Sequence, residues 1–224
     1  MVRVRYSFGS RHTGRLDNIS RQRKKFPDVA KEVIKTSDLI LEVLDSRYIN
    51  ETRNKAIEER IVKEGKKIIY VLNKMDLVDI ENVKRELKLR PYVFVSCTKR
   101  KGVTKLRNLI KRLAKNIKLP GNMQRVHVGI IGYPNTGKSS LINVLIGKPS
   151  AKTGNEAGFT KGLQKVKLTN NILILDSPGV ISYDDYSMNQ NKKISMHARV
   201  GARSYSNVNN PDLAVQELLN ERKS

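Results

Sequence analysis

The stretch GYPNTGKS, Gly132 to Ser139, carries the residue types needed to hold a run of phosphates. It fits G-x-x-x-x-G-K-[ST], with an apolar strand pattern before it and a helical one after it. In such a loop, successive backbone N–H groups point inward, and Gly132 and Gly137 remove the side chains that would block them. Lys138 reaches the β- and γ-phosphates, Ser139 offers its hydroxyl to Mg²⁺, and the positive end of the following helix adds its dipole. Asn135, Thr136 and Ser140 complete the expected phosphate contacts. About forty residues on, ILILDSPGV places Asp176 at the end of a strand, where it can hold Mg²⁺ through water. In the same D-x-x-G, Gly179 can bring its bare N–H to the γ-phosphate. Between them, NEAGFTKG offers Thr160 in a glycine-flanked loop as a cap on Mg²⁺ and the third phosphate, with Thr153 as its rival. Lys138, Thr160 and Gly179 are therefore the candidate catalytic residues, and Ser139, Thr160 and Asp176 the candidate Mg²⁺ ligands.

A second constellation lies upstream. NKMD, Asn73 to Asp76, follows a buried strand. The Asp76 carboxylate can accept from guanine N1–H and the 2-amino group together, the Lys74 stem can cover the ring, and Asn73 can tie this loop to the phosphate loop. Adenine has an acceptor at N1 and no 2-amino group, so with ATP the carboxylate would lose both partners. That preference excludes a small-molecule kinase, which has no need to reject ATP. Ser96, Cys97 and Thr98 also sit at a strand end, and the Cys97 N–H is placed for guanine O6.

These sites require particular elements. The pattern predicts a helix from about Asp28, a buried strand Leu39 to Leu44 ending on Asp45, and a helix from Thr52 to Lys63 with Ala56, Ile57 and Ile61 on one stripe. Strand KIIYVLN, a helix near Asp79 to Lys88, strand Tyr92 to Ser96 and a helix from Val103 to about Asn116 follow. Breakers at Pro120 and Gly121 mark a loop. Strand RVHVGIIG, a helix Lys138 to Ile146, a Gly- and Lys-rich loop and strands Leu163 to Leu168 and Ile172 to Leu175 complete the pattern. Short apolar strands alternating with helices predict a mainly parallel six-stranded sheet with helices on both faces.

The base reader precedes the phosphate cradle, the reverse of an ordinary G domain. In that order NKMD, SCT, GYPNTGKSS, GFT and DSPG, with LEVLDSRYINETRN, resemble the circularly permuted P-loop GTPases of the YlqF/YawG family. A sheet is assembled in space, so cutting after D-x-x-G and joining the old ends through Ile117 to Gln124 leaves the pocket intact. The resemblance implies an α/β G domain over residues 28–180, permuted to G4-G5-G1-G2-G3, between a basic arm at 1–27 and a short helical segment at 181–224. It implies GTP and GDP as ligands, Mg²⁺ as cofactor, and a role in assembling the large ribosomal subunit. Val180 stands where many GTPases keep a water-positioning Gln. The resemblance thus implies slow hydrolysis of GTP to GDP and phosphate, stimulated by a ribosomal particle and by K⁺ held near Asn135. The rival reading is a GTP-regulated RNA-binding module with little turnover. Ala157 and Ser46 depart from the family's Pro and Ala.

Charge points the same way. Lys+Arg 44 against Asp+Glu 21 gives a net +23, which attracts phosphate polymers. Residues 1–25 hold eight basic residues against Asp17, among them Arg3, Arg5, Arg11, Arg15, Lys24 and Lys25. Residues 97–125 hold ten with no acid, among them Lys105, Lys111, Arg112 and Lys115. A face shaped only for solubility mixes signs, so both windows are candidate contacts to rRNA or a large-subunit precursor. The segment after Val180 holds six basic and five acidic residues and a helix start at Asn210-Pro211-Asp212, so RNA contact is not expected there. One cysteine fits a reducing compartment, and no apolar run reaches bilayer length. A cytoplasmic monomer with no membrane contact is expected, with an Arg-rich organellar transit peptide as the alternative. His12, His127 and His197 show no metal-ligand spacing.

Overall fold

The computed structural model describes residues 31–119, 121, 124–147 and 164–176. The basic arm, the loop with Thr153 and Thr160, and everything from Ser177 on, including Gly179, Val180 and the 181–224 segment, lie outside the described residues.

A helix whose described part is 31–36 (α1) leads into β1 (Leu39–Asp45). After it come a single helical turn α2 (Ile49–Thr52), α3 (Lys55–Lys63), β2 (Lys67–Asn73), a 3₁₀ turn at Met75–Leu77, α4 (Ile80–Glu86) and β3 (Tyr92–Phe94). The chain continues through α5 (Val103–Lys115), β4 (Val126–Gly132), α6 (Lys138–Ile146), β5 (Gln164–Thr169) and β6 (Ile172–Asp176). The six strands lie in the order β3-β2-β1-β4-β6-β5, every pair parallel except β5 with β6.

Alternation along the strands builds two cores. Leu39, Leu41 and Val43 of β1, with Ile69, Val71, Val128, Ile130 and Ile174, face Leu106, Ile110, Leu141, Ile142 and Leu145 of α5 and α6. Ile40 and Leu44, with Ile68, Leu72 and Ile131, face Val33 and Ile34 of α1 and Ile61 of α3. Both faces are covered, as the uniformly apolar strands require.

The expected helix at Thr52 to Lys63 is divided. Arg53 is extended at ψ 146°, and the Asn54 side chain then caps α3 by accepting from the Ile57 N–H at 3.1 Å. Of the expected stripe, Ile61 is buried and Ile57 packs at the core's edge, while Ala56 is exposed and Glu58 is buried in its stead. Glu58 can be buried because it is satisfied: it accepts from Arg53 Nε and Nη2 at 2.8 and 2.6 Å and from the Tyr70 hydroxyl at 3.1 Å.

Consecutive strands run outward from β1 to β2 and β3 on one side, while β4 leads to β6 and β5 on the other. The switch point therefore lies between β1 and β4, and the crevice at their C-terminal ends is where an open parallel sheet takes its ligand.

Candidate nucleotide site

β4 delivers the phosphate loop to that crevice. Gly132 has φ 149°, and a Cβ there would lie 2.4 Å from the Val43 carbonyl. Gly137 has φ 96°, and a Cβ there would lie 2.3 Å from Asn73 Nδ2. Neither position admits a side chain. Asn135 takes the left-handed conformation at φ 59°, a region Asn tolerates better than most residues. Thr136 is fully buried, its hydroxyl donating to the Tyr133 carbonyl at 2.9 Å. α6 starts at Lys138 and ends on Gly147 at φ 81°, which caps its last turn. Ser139 and Ser140 are half-buried in its first turn.

The Lys138 ammonium curls back into the loop and donates to the Gly132 and Tyr133 carbonyls at 3.1 and 2.8 Å. Burial pushes its pKa down to about 8, against the pull of the Asp176 charge. Asp176 is fully buried at the end of β6, in register with Ile130 of β4. A serine hydroxyl and a carboxylate are hard oxygen donors of the kind Mg²⁺ takes, so Ser139 in the first turn of α6 and Asp176 at the end of β6 fit a Mg²⁺–nucleotide. Among the described residues there is no cluster of three or more His, Cys, Asp or Glu that would hold a metal by itself.

β2 delivers the base-reading loop to the same crevice. Asn73 is buried, and its Nδ2 donates to the Thr136 carbonyl at 2.8 Å, tying the two loops across 63 residues of sequence. Its Oδ1 accepts from the Cys97 N–H at 3.4 Å, the donor expected to meet guanine O6. Asp76 is exposed, and a hydrogen bond from Ser96 holds its carboxyl below the usual range, so it is ionised and available. Ser96 is itself fully buried, and its Oγ accepts from the Lys99 N–H at 3.0 Å. Thr98 is exposed beside it. Burial pushes the Cys97 thiol up to about 11, so it is no nucleophile at neutral pH.

Sequence reasoning missed the floor between these loops. The Asp45 carboxylate, fully buried at the end of β1, accepts from Lys74 Nζ at 2.8 Å and from Arg47 Nε and Nη2 at 3.0 and 2.8 Å. A strand ending on Asp was visible in the sequence; the partner 29 residues away was not, because it depends on the parallel register that sets Asp45 opposite Asn73.

Comparison with known proteins agrees with this geometry. Residues 127–221 match the family model described as 50S ribosome-binding GTPase. An uncharacterised GTP-binding protein of Methanocaldococcus jannaschii is 46% identical over 72% of this chain and 43% of its own length. The crystal structure of GNP-bound YlqF from T. maritima superposes with a TM-score of 0.58, at 23% identity, over 84% of this chain and 71% of that one. The chain has the P-loop GTPase fold, with its motifs in circularly permuted order. It is also similar to a nuclear GTP-binding protein of Saccharomyces cerevisiae, 33% identical over 72% of this chain and 35% of the relative. The chain thus spans less than half the length of these curated relatives.

The candidate RNA contacts divide. Lys105, Lys111, Arg112 and Lys115 are exposed on the outer surface of α5. Arg107 of the same helix is turned inward to donate to the Leu145 carbonyl at the end of α6. Arg3, Arg5, Arg11, Arg15, Lys24 and Lys25 lie outside the described residues. No helix among the described residues is long and apolar enough to cross a membrane.

Proposed function

We propose that the chain binds GTP with Mg²⁺, hydrolyses it slowly to GDP and phosphate, and acts as a switch in assembly of the large ribosomal subunit by contacting rRNA. One observation carries the nucleotide part of this reading: the Asn73–Thr136 hydrogen bond, which joins a guanine-type loop to a phosphate-type loop. Asp76 reads the base, and Lys138 turns from the loop carbonyls to the phosphates. Ser139 and Asp176 would hold Mg²⁺, which when bound offsets charge on the β- and γ-oxygens. Asn135 supplies an amide oxygen for K⁺ near the same phosphates. Thr160 and Gly179 respond to the third phosphate, and Val180 leaves the attacking water unoriented. Hydrolysis is then slow until a partner completes the site.

The RNA part rests on charge. The exposed Lys105, Lys111, Arg112 and Lys115 on α5 lie in a window of sequence with no acid, and the arm sets eight basic residues against Asp17 alone. The 50S ribosome-binding description of the matching family model supports a ribosomal partner. A monomer working in the cytoplasm is the simplest form of this proposal. GTPase rates measured with and without large ribosomal subunits, in K⁺ and in Na⁺, test it. Stimulation by both is expected; a rate indifferent to both overturns it. Val180 favours a second reading, a binding module with little turnover, which single-turnover hydrolysis on ribosomal RNA would reveal as no product.

A further inference from the structure

Lys74 is a backbone outlier in the base-reading loop, at φ 62° and ψ 33°. Non-glycine residues enter this left-handed region at a cost and remain only where their surroundings hold them. The backbone on either side is held, Met75 N–H donating to the Val95 carbonyl at 3.2 Å and Leu77 N–H to the Lys74 carbonyl at 3.0 Å. The side chain is held by Asp45. One oxygen of that carboxylate accepts from the Arg47 N–H and Nε at 3.1 and 3.0 Å, and the other from Arg47 Nη2 and Lys74 Nζ, both at 2.8 Å. The Asp45 side chain has no exposure, whereas Arg47 keeps 32% and Lys74 25%. Next in the chain, the Ser46 N–H and hydroxyl both donate to the Asn73 carbonyl, at 2.9 and 2.6 Å, locking the end of β1 to the end of β2. Asp45 is therefore a fixed point from which the lysine side chain is hung.

We propose that Asp45 and Arg47 are positioning residues of the guanine site. Asp45 anchors the Lys74 ammonium so that the four-carbon stem is already extended along the ring's place before a nucleotide arrives, and Arg47 saturates the carboxylate's other lone pairs. A buried carboxylate with a single cation would be poorly compensated. Burial raises the Asp45 pKa, but hydrogen bonds from Arg47 and Lys74 outweigh it and hold the carboxyl below its ordinary value. A lysine stem left free carries several rotatable bonds, and binding would have to order them; an anchored stem has that cost removed in advance. This inference rests on the reading of Asn73 to Asp76 as the guanine reader, and adds residues outside that motif.

The test is a double-mutant cycle on the full chain with mant-GDP as probe. K74M keeps the stem and removes the ammonium; D45N removes the anchor. Each is expected to raise Kd about 10-fold, the cost of ordering one rotamer-rich side chain, and the double variant to be no worse than either alone. Additive losses in the double variant, or K74M binding like the wild type, overturn the proposal. If D45N does not fold, R47Q takes its place: a loss of about 3-fold is expected in the wild-type background and none in K74M, and a loss persisting in K74M overturns the proposal. D76N with xanthosine diphosphate separates the two levels. If D76N accepts that ligand while the cycle shows no coupling, only the anchor is wrong; if D76N gains no affinity for it, the guanine reading falls and the anchor with it.

Discussion

Removing the Asn73 amide should uncouple the base loop from the phosphate loop. In N73A the Thr136 carbonyl, on a fully buried residue, loses its 2.8 Å donor, and the Cys97 N–H loses its 3.4 Å acceptor. An orphaned buried carbonyl costs about 1–3 kcal/mol, and the small void left by a buried side chain adds about 1 kcal/mol. The longer bond to Cys97 adds little. Stability should therefore fall by about 2–4 kcal/mol, read as a shift of the urea midpoint with an unchanged slope. Affinity for mant-GDP should fall about 10-fold or more, since both loops must be brought back into register on binding. N73D sharpens the test. It presents an acceptor to an acceptor at Thr136, beside Gly137 where even a Cβ would crowd Nδ2, so it should be worse than N73A in both assays. If N73A melts and binds like the wild type, or if N73D is the milder variant, the donated bond is not what joins the loops.

Three further outcomes follow from the same geometry. G137A forces a Cβ to within 2.3 Å of Asn73 Nδ2 at φ 96° and should cost about 2–5 kcal/mol, measured by thermal melting, with loss of mant-GDP binding. Lys138, depressed by burial from 10.5 to about 8, is neutral in the nucleotide-free fold and charged in the unfolded chain between those values. Stability of the free chain should therefore rise with pH over that range. Phosphates that recharge Lys138 should make binding take up a proton there, so the calorimetric binding enthalpy at pH 9 should vary with the buffer's ionisation enthalpy. Glu42 is pushed up by burial, and by the Glu58 charge, from 4.5 to about 8. The folded state thus holds a proton the unfolded state has lost, and stability should fall as pH rises from 4.5 to 8. E42Q should remove that slope and raise stability at pH 8 by a few kcal/mol in urea titrations.

The sequence announced the strands, their mainly parallel pairing and both loops, because apolar runs ending in NKMD and GYPNTGKS combine a period with a side-chain requirement. It also showed that the order of the loops is inverted. Less was legible where an outcome depended on register or on a satisfied buried charge. The Asp45–Lys74 pair joins the ends of adjacent parallel strands, a contact no local window contains. Glu58 reads as an exposed helix residue until Arg53 and Tyr70 are seen to satisfy it, and that network explains why the helix breaks at Arg53 and presents Glu58 where Ala56 was expected. Arg107 belongs by composition to the basic stripe of α5, yet its amphipathic phase turns it toward the end of α6.

Calorimetric titration of the Mg²⁺-containing chain with GTP, GDP and ATP in turn tests the central claim most directly. The ionised Asp76 and the Asn73 tie to Thr136 predict that both guanine nucleotides bind and that ATP is about 100-fold weaker or worse, the loss expected when a charge-assisted pair of hydrogen bonds is replaced by mismatched groups. ATP binding as tightly as GTP, or no binding of either, would contradict the account.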